Sequence, residues 1–114
     1  IQVRPRGDTG LYDTTLAAFR AMQRSYRDGR LNAVVVLTDG RNDDAGSISR
    51  DQLLRTLRAE YDPSRPVHVI TVGYGADVDL AALKAIASAT RGSATVAKDP
   101  RDIDRVLFQA LSSL

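Results

Sequence analysis

Apolar and polar positions follow two different rhythms along this chain. Between Leu11 and Tyr26, the residues Leu11, Thr15, Ala18, Phe19, Met22 and Tyr26 recur at the spacing of one helix face, and Asp28-Gly29 predicts the helix end. Ala33–Thr38 then reads Ala-Val-Val-Val-Leu-Thr, the both-faces-apolar run of a parallel strand covered by helices on each side. The Asp- and Gly-rich stretch Gly40–Ser47 is a loop. Ser49 with Gln52 three residues later forms a capping box, opening a helix that carries Leu53, Leu54, Leu57 and Tyr61 on one face. Asp62-Pro63 closes it. Val67–Val72 is a second β-branched strand, stopped by Gly73-Tyr74-Gly75. Asp79 caps a third helix bearing Leu80, Leu83, Ile86 and Ala87, which ends at Arg91-Gly92, and Ala94–Ala97 is a short third strand. Asp99-Pro100 supplies an N-cap and a proline at the first helical position of a last helix, with Ile103, Val106, Leu107, Ala110 and Leu111 on its apolar face.

The order α-β-α-β-α-β-α predicts an α/β fold: a doubly wound, Rossmann-like parallel sheet of about three strands, with four helices on its two faces. At 114 residues the chain is long enough for one domain and too short for two. Its longest apolar run, Ala33–Leu37, falls far short of the roughly 20 residues of a membrane helix, so this segment does not insert. No secretory signal is legible at its start. The absence of cysteine excludes disulfides, thiolate metal sites and cysteine nucleophiles. A net charge of +2, scattered arginines, two Phe and four Tyr argue against a nucleic-acid surface. Of 16 basic residues 14 are Arg, and of 14 acidic residues 13 are Asp, which with abundant Ala suggests a GC-rich coding sequence of the actinobacterial kind.

Ligands of open parallel sheets bind at the carboxyl ends of the strands. The first long strand runs straight into Thr38-Asp39-Gly40-Arg41-Asn42-Asp43-Asp44. A carboxylate there is costly unless its charge is used, either as a loop cap or as a ligand. A second loop, Gly7-Asp8-Thr9-Gly10-Leu11-Tyr12-Asp13, lies immediately before the first helix. Gly-x-Thr-x-Leu before a helix, followed by an apolar strand ending in Thr-Asp-Gly, resembles the von Willebrand factor type A domain. The likeness extends through Val-Ile-Thr-Val-Gly-Tyr-Gly and the closing Asp-Pro helix, and is greatest to bacterial, extracytoplasmic members.

The resemblance implies a metal-ion-dependent adhesion site. Thr9 matches the family's metal-coordinating threonine, and Asp39 the aspartate that holds the metal through water. Asp8, Gly40, Asn42, Asp43 and Asp44 form the ligand-facing rim. A hydroxyl and a carboxylate are hard oxygen donors suited to Mg²⁺ or Mn²⁺. The partner is a protein presenting an Asp or Glu carboxylate to an open coordination position. The activity is binding, not catalysis, in a membrane-anchored or secreted bacterial protein. The family's first motif, Asp-x-Ser-x-Ser, does not occur in the chain. The near match Asp44-Ala-Gly-Ser-Ile-Ser49 follows the wrong strand and has its aspartate one position off, so it reads as a loop and helix cap. The chain therefore looks like the C-terminal half of the domain, with an incomplete metal site. Without the central strand, the edge of strand 33–38 is expected to be bare, inviting the missing half or a second copy.

Other readings have less behind them. In one, the chain is a structural α/β fragment whose metal residues are idle. A receiver-like domain needs its acidic pair after an earlier strand and a lysine after a later one; Lys84 and Lys98 are the only lysines. Nucleotide handling finds neither a phosphate-binding Gly-x-x-x-x-Gly-Lys loop nor a dinucleotide fingerprint. Arg6-Gly7-Asp8 is three common residues opening the metal loop. His68, inside a strand, reads as a sheet-face residue rather than a base.

Overall fold

The computed structural model describes residues 2–3, 10–38, 48–75 and 78–112. Strands β1 (Gln2–Val3), β2 (Ala33–Thr38), β3 (His68–Tyr74) and β4 (Ala94–Ala97) form one parallel sheet in the order β1-β2-β3-β4. Helices α1 (Leu11–Arg24), α2 (Arg50–Glu60) and α3 (Leu80–Ser88) connect successive strands, and α4 (Ile103–Ser112) follows β4. The three expected strands and four helices are all present.

A chain that adds each strand beside the last, through crossovers of one hand, lays its connecting helices on one face. The side chains of β2 divide accordingly. Val34 and Val36 pack with Phe19 of α1, Leu53 and Leu57 of α2, and Leu83 and Ile86 of α3. Ala33, Val35 and Leu37, with Ile70 and Val72 of β3, meet Val106 and Ala110 of α4 on the other face. All six β2 residues are buried, which is why the run carries no polar alternation. Two buried threonine hydroxyls tie β3 to α3 and to the turn that follows it. Thr71 Oγ1 donates to the Leu83 carbonyl at 3.0 Å, and Thr90 Oγ1 accepts from Val69 N at 2.8 Å.

The caps follow the sequence signals. Ser49 Oγ accepts from Gln52 N at 3.1 Å and Asp79 Oδ1 from Ala82 N at 3.1 Å. Asp99 Oδ1 accepts from Arg101 N at 2.9 Å, but the turn it caps is a 3₁₀ segment, Pro100–Asp102, that leads into α4. Helix α1 stops at Arg24, before the expected Tyr26: Ser25 N bonds both the Ala21 and Met22 carbonyls, and Asp28-Gly29 belongs to the turn beyond. Strand β3 runs on through Gly73 and Tyr74, because Gly73 pairs with Thr38 on one side and Val96 on the other. That glycine serves packing: a Cβ there meets Val78 Cγ1 at 2.6 Å and Leu83 Cδ1 at 2.8 Å.

One expectation is corrected. The edge of strand 33–38 is not bare, since Gln2 and Val3 pair in parallel with Val35 and Val36. A two-residue strand has no periodicity to read, so β1 was invisible to pattern analysis. Self-association through an open middle of that edge loses its premise.

Candidate metal centre

Each strand of a parallel sheet delivers its outgoing loop to the same edge. Here the chain leaves β1 after Val3, β2 after Thr38, β3 through Gly75, and β4 through Lys98 and Asp99, all at that edge. Helices α1 and α2 run back from it, so their amino-terminal N–H groups also lie there, a favourable setting for negative charge.

Thr9, Asp8, Asp39, Gly40, Asn42, Asp43 and Asp44 all lie outside the described residues. Their immediate neighbours are described. Gly10, buried and extended (φ −67°, ψ 152°), is the N-cap of α1 with no side-chain cap of its own, and its carbonyl accepts from Thr14 N at 3.0 Å. Thr38 is the last residue of β2 and is buried. Across the edge, Asp13 Oδ1 in the first turn of α1 accepts from Ile48 N at 3.4 Å, where the chain leaves the 39–47 loop. This contact is long for a hydrogen bond, but it brings the first turn of α1 beside Ile48.

Asp13 is the residue that motif reading passed over. An acid in the first helical turn is the one sequence signal it carried. Thr14 Oγ1, next in the chain, is buried with no hydrogen-bond partner among the described residues, whereas Thr15 Oγ1 donates to the Leu11 carbonyl at 2.7 Å. Beyond β3, Gly75 takes a left-handed φ of 94°, which glycine adopts without strain, and Tyr74 packs half-buried against the α4-side core.

Two other carboxylates are engaged. Asp99 receives the Arg101 guanidinium, Nη2 to Oδ2 at 2.8 Å, and the Arg101 N–H, which together hold its carboxyl below the ordinary aspartate value. Asp79 is the cap of α3. Among the described residues no group of three or more His, Cys, Asp or Glu could hold a metal ion. His68 lies at the opposite end of the sheet, its Nδ1 2.9 Å from the Thr90 carbonyl and its ring tilted against Tyr61. No helix among the described residues is long and apolar enough to cross a membrane.

Residues 6–109 match the family model of the von Willebrand factor type A domain. Two uncharacterized proteins of Mycobacterium tuberculosis, from strain CDC 1551 / Oshkosh and strain ATCC 25618 / H37Rv, are each 32% identical over 82 residues, which cover 72% of this chain. The chain spans 12% of the length of these curated relatives.

Proposed function

Because the chain belongs to the von Willebrand factor type A domain family, whose members are protein-interaction and adhesion modules, we propose that it is a divalent-metal-dependent binding module for a protein carboxylate. Thr9 supplies a hydroxyl ligand and Asp39 orients the water shell of Mg²⁺ or Mn²⁺. Such an ion, when bound, is a Lewis acid with a coordination position open to an Asp or Glu oxygen. Asp8, Gly40, Asn42, Asp43 and Asp44 shape the rim that tells one partner from another. Two oxygen ligands hold Mg²⁺ weakly, because the ion favours near-octahedral geometry and keeps its water. The Asp-x-Ser-x-Ser motif that supplies further ligands in the family does not occur in these 114 residues. The family resemblance also supports an extracytoplasmic place in a bacterial protein.

The observation that carries this reading is the Asp13–Ile48 contact, which brings the start of α1 and the exit of the β2 loop together at the carboxyl edge. Calorimetric titration of the full chain with Mn²⁺, beside Thr9→Ala and Asp39→Ala, tests it. The expected result is saturable heat that either substitution removes. Identical isotherms for all three chains overturn the reading.

A further inference from the structure

The strand-start edge of the sheet, opposite the candidate metal centre, collects the α1–β2 loop, the α2–β3 loop and the α3–β4 turn. Two arginines there are mounted on tyrosines. The Arg65 guanidinium lies 5.0 Å from the Tyr26 ring centroid, and the Arg91 guanidinium 5.6 Å from that of Tyr61. Tyr61 in turn packs at a tilt against His68, 6.1 Å between centroids, and His68 is held by the Thr90 carbonyl. Stacking on a ring fixes the plane of a guanidinium while leaving its N–H edge free to donate. Both arginines are exposed, and neither forms an ion pair among the described residues.

The nearby acids do not neutralise them. Glu60 is taken by Arg20, whose Nη2 lies 2.7 Å from Oε2. Asp62 accepts from Ser64 N and Ser64 Oγ; the charge of Arg65 helps keep its carboxyl low without an ion pair forming. Asp28 is the remaining acid, set against exposed Arg24, Arg27, Arg30 and Arg58. The carboxyl ends of α1, α2 and α3 add partial negative charge, which offsets only part of this excess. Arg91 also sits at φ 57°, a left-handed conformation that favours glycine, between the end of α3 and a glycine that packing requires. An arginine thus stands where the backbone favours glycine.

We propose that this edge is a second docking surface, independent of metal, that takes an acidic peptide segment of a partner protein. Arg65 and Arg91 each receive a carboxylate through the paired N–H groups of a preoriented fork. The edge carries no lysine and interleaves Asp28, Glu60 and Asp62 with its arginines, a pattern that suits discrete carboxylates better than the continuous charge of a lipid surface. Tyr26 and Tyr61 each carry a guanidinium over the ring, in the place a stacked nucleic-acid base would take.

The test is fluorescence anisotropy of a fluorescein-labelled peptide of alternating Glu and Gly, with the full chain, in EDTA. The paired variant Arg65→Gln/Arg91→Gln is expected to bind at least about tenfold more weakly, the scale of losing two charge-assisted contacts. Arg55→Gln/Lys84→Gln, which removes the same charge from exposed positions midway along α2 and α3, is expected to bind within about twofold of the parent. Arg65→Lys/Arg91→Lys keeps the charge without the fork and retains most of the loss. Asp39→Ala leaves this binding unchanged, separating it from the metal reading. Equal losses in the edge and control variants overturn the proposal, as does parent-like affinity in the edge variant. Edge-dependent binding to phosphatidylserine vesicles that exceeds binding to the peptide assigns the surface to a membrane and also overturns it.

Discussion

Asn32 is the residue whose loss most clearly tests how the α1–β2 connection is held. It is 3% exposed, and its amide makes three hydrogen bonds: Oδ1 accepts from Arg27 N at 3.0 Å, while Nδ2 donates to the carbonyls of Arg27 and Arg30, each at 2.9 Å. Its backbone carbonyl also accepts from His68 N at 3.1 Å, so the same residue registers β2 against β3. Asn32→Ala removes the side-chain bonds and leaves one N–H and two carbonyls to find other partners. At about 1 kcal/mol for each bond, and more where water does not reach the orphaned group, the loss is about 2–4 kcal/mol. For a domain of this size that lowers the melting temperature by roughly 10–20 °C. Asn32→Asp keeps the acceptor but turns a carboxylate toward two carbonyls. Burial and those carbonyls raise the folded-state pKa of the new carboxyl above its unfolded value of about 3.9. Relative to the parent, the variant is therefore least destabilised below about pH 4, where the acid can still donate, and its deficit grows as pH rises through the folded value. Urea unfolding followed by circular dichroism at several pH values reads both effects. A loss under about 0.5 kcal/mol for Asn32→Ala, or an Asn32→Asp chain as stable as the parent at pH 7, refutes the reasoning.

Four further outcomes follow from the packing and the ion pairs. Gly92→Ala places a Cβ 1.9 Å from the Val69 carbonyl oxygen, on strand backbone that cannot yield without disturbing β3, and is expected to cost about 3 kcal/mol or more by thermal melting. Leu37→Asp puts an unpaired charge in a fully buried strand position and costs about 3–5 kcal/mol; an unchanged melt contradicts the central place of β2. At Arg91, glycine is expected to be about 1 kcal/mol more stable than alanine, since both lose the Tyr61 stack but only glycine is relaxed at φ 57°; equal melts contradict this. Arg20 donates to both oxygens of Glu60 and holds its carboxyl below the ordinary glutamate value, so the pair stabilises above pH about 4.3 and its contribution fades as pH falls through the depressed folded value. Glu60→Gln is expected to flatten that acid limb in urea titrations; a parent-like slope sinks the assignment.

The elements that carry long-period patterns were readable from composition and spacing alone. β2 needed only its six consecutive buried residues, and α3 its aspartate cap and apolar face. Errors fell where the deciding interaction is tertiary. Gly73 looked like a strand stop because glycine usually is one, yet it is an interior strand residue selected by the crowding of Val78 and Leu83. Helix α1 ends at Arg24 although Tyr26 continues its periodicity; Tyr26 lies beyond the helix, beneath Arg65. β1 was missed because only its partner, β2, makes two residues a strand. The candidate site was read through motif resemblance at Thr9 and Asp39. Asp13 carries no motif role, and its position across from Ile48 is a product of the crossover geometry. The stacked arginines escaped notice for the same reason: Tyr26 and Arg65 are distant in sequence and meet only when α1 and the α2–β3 loop reach the same edge.

The account's central claim is that the two loops at the carboxyl edge form one divalent-metal site around Thr9 and Asp39. Paramagnetic broadening by Mn²⁺ of the amide signals of the ¹⁵N-labelled chain tests it directly, because the effect falls steeply with distance and registers weak binding. The account predicts broadening centred on Gly10, Thr38 and Ile48, little at His68 and Thr90 on the opposite edge, and loss of the pattern in Asp39→Ala. Broadening spread evenly over exposed acidic residues, or a pattern unchanged by Asp39→Ala, contradicts it.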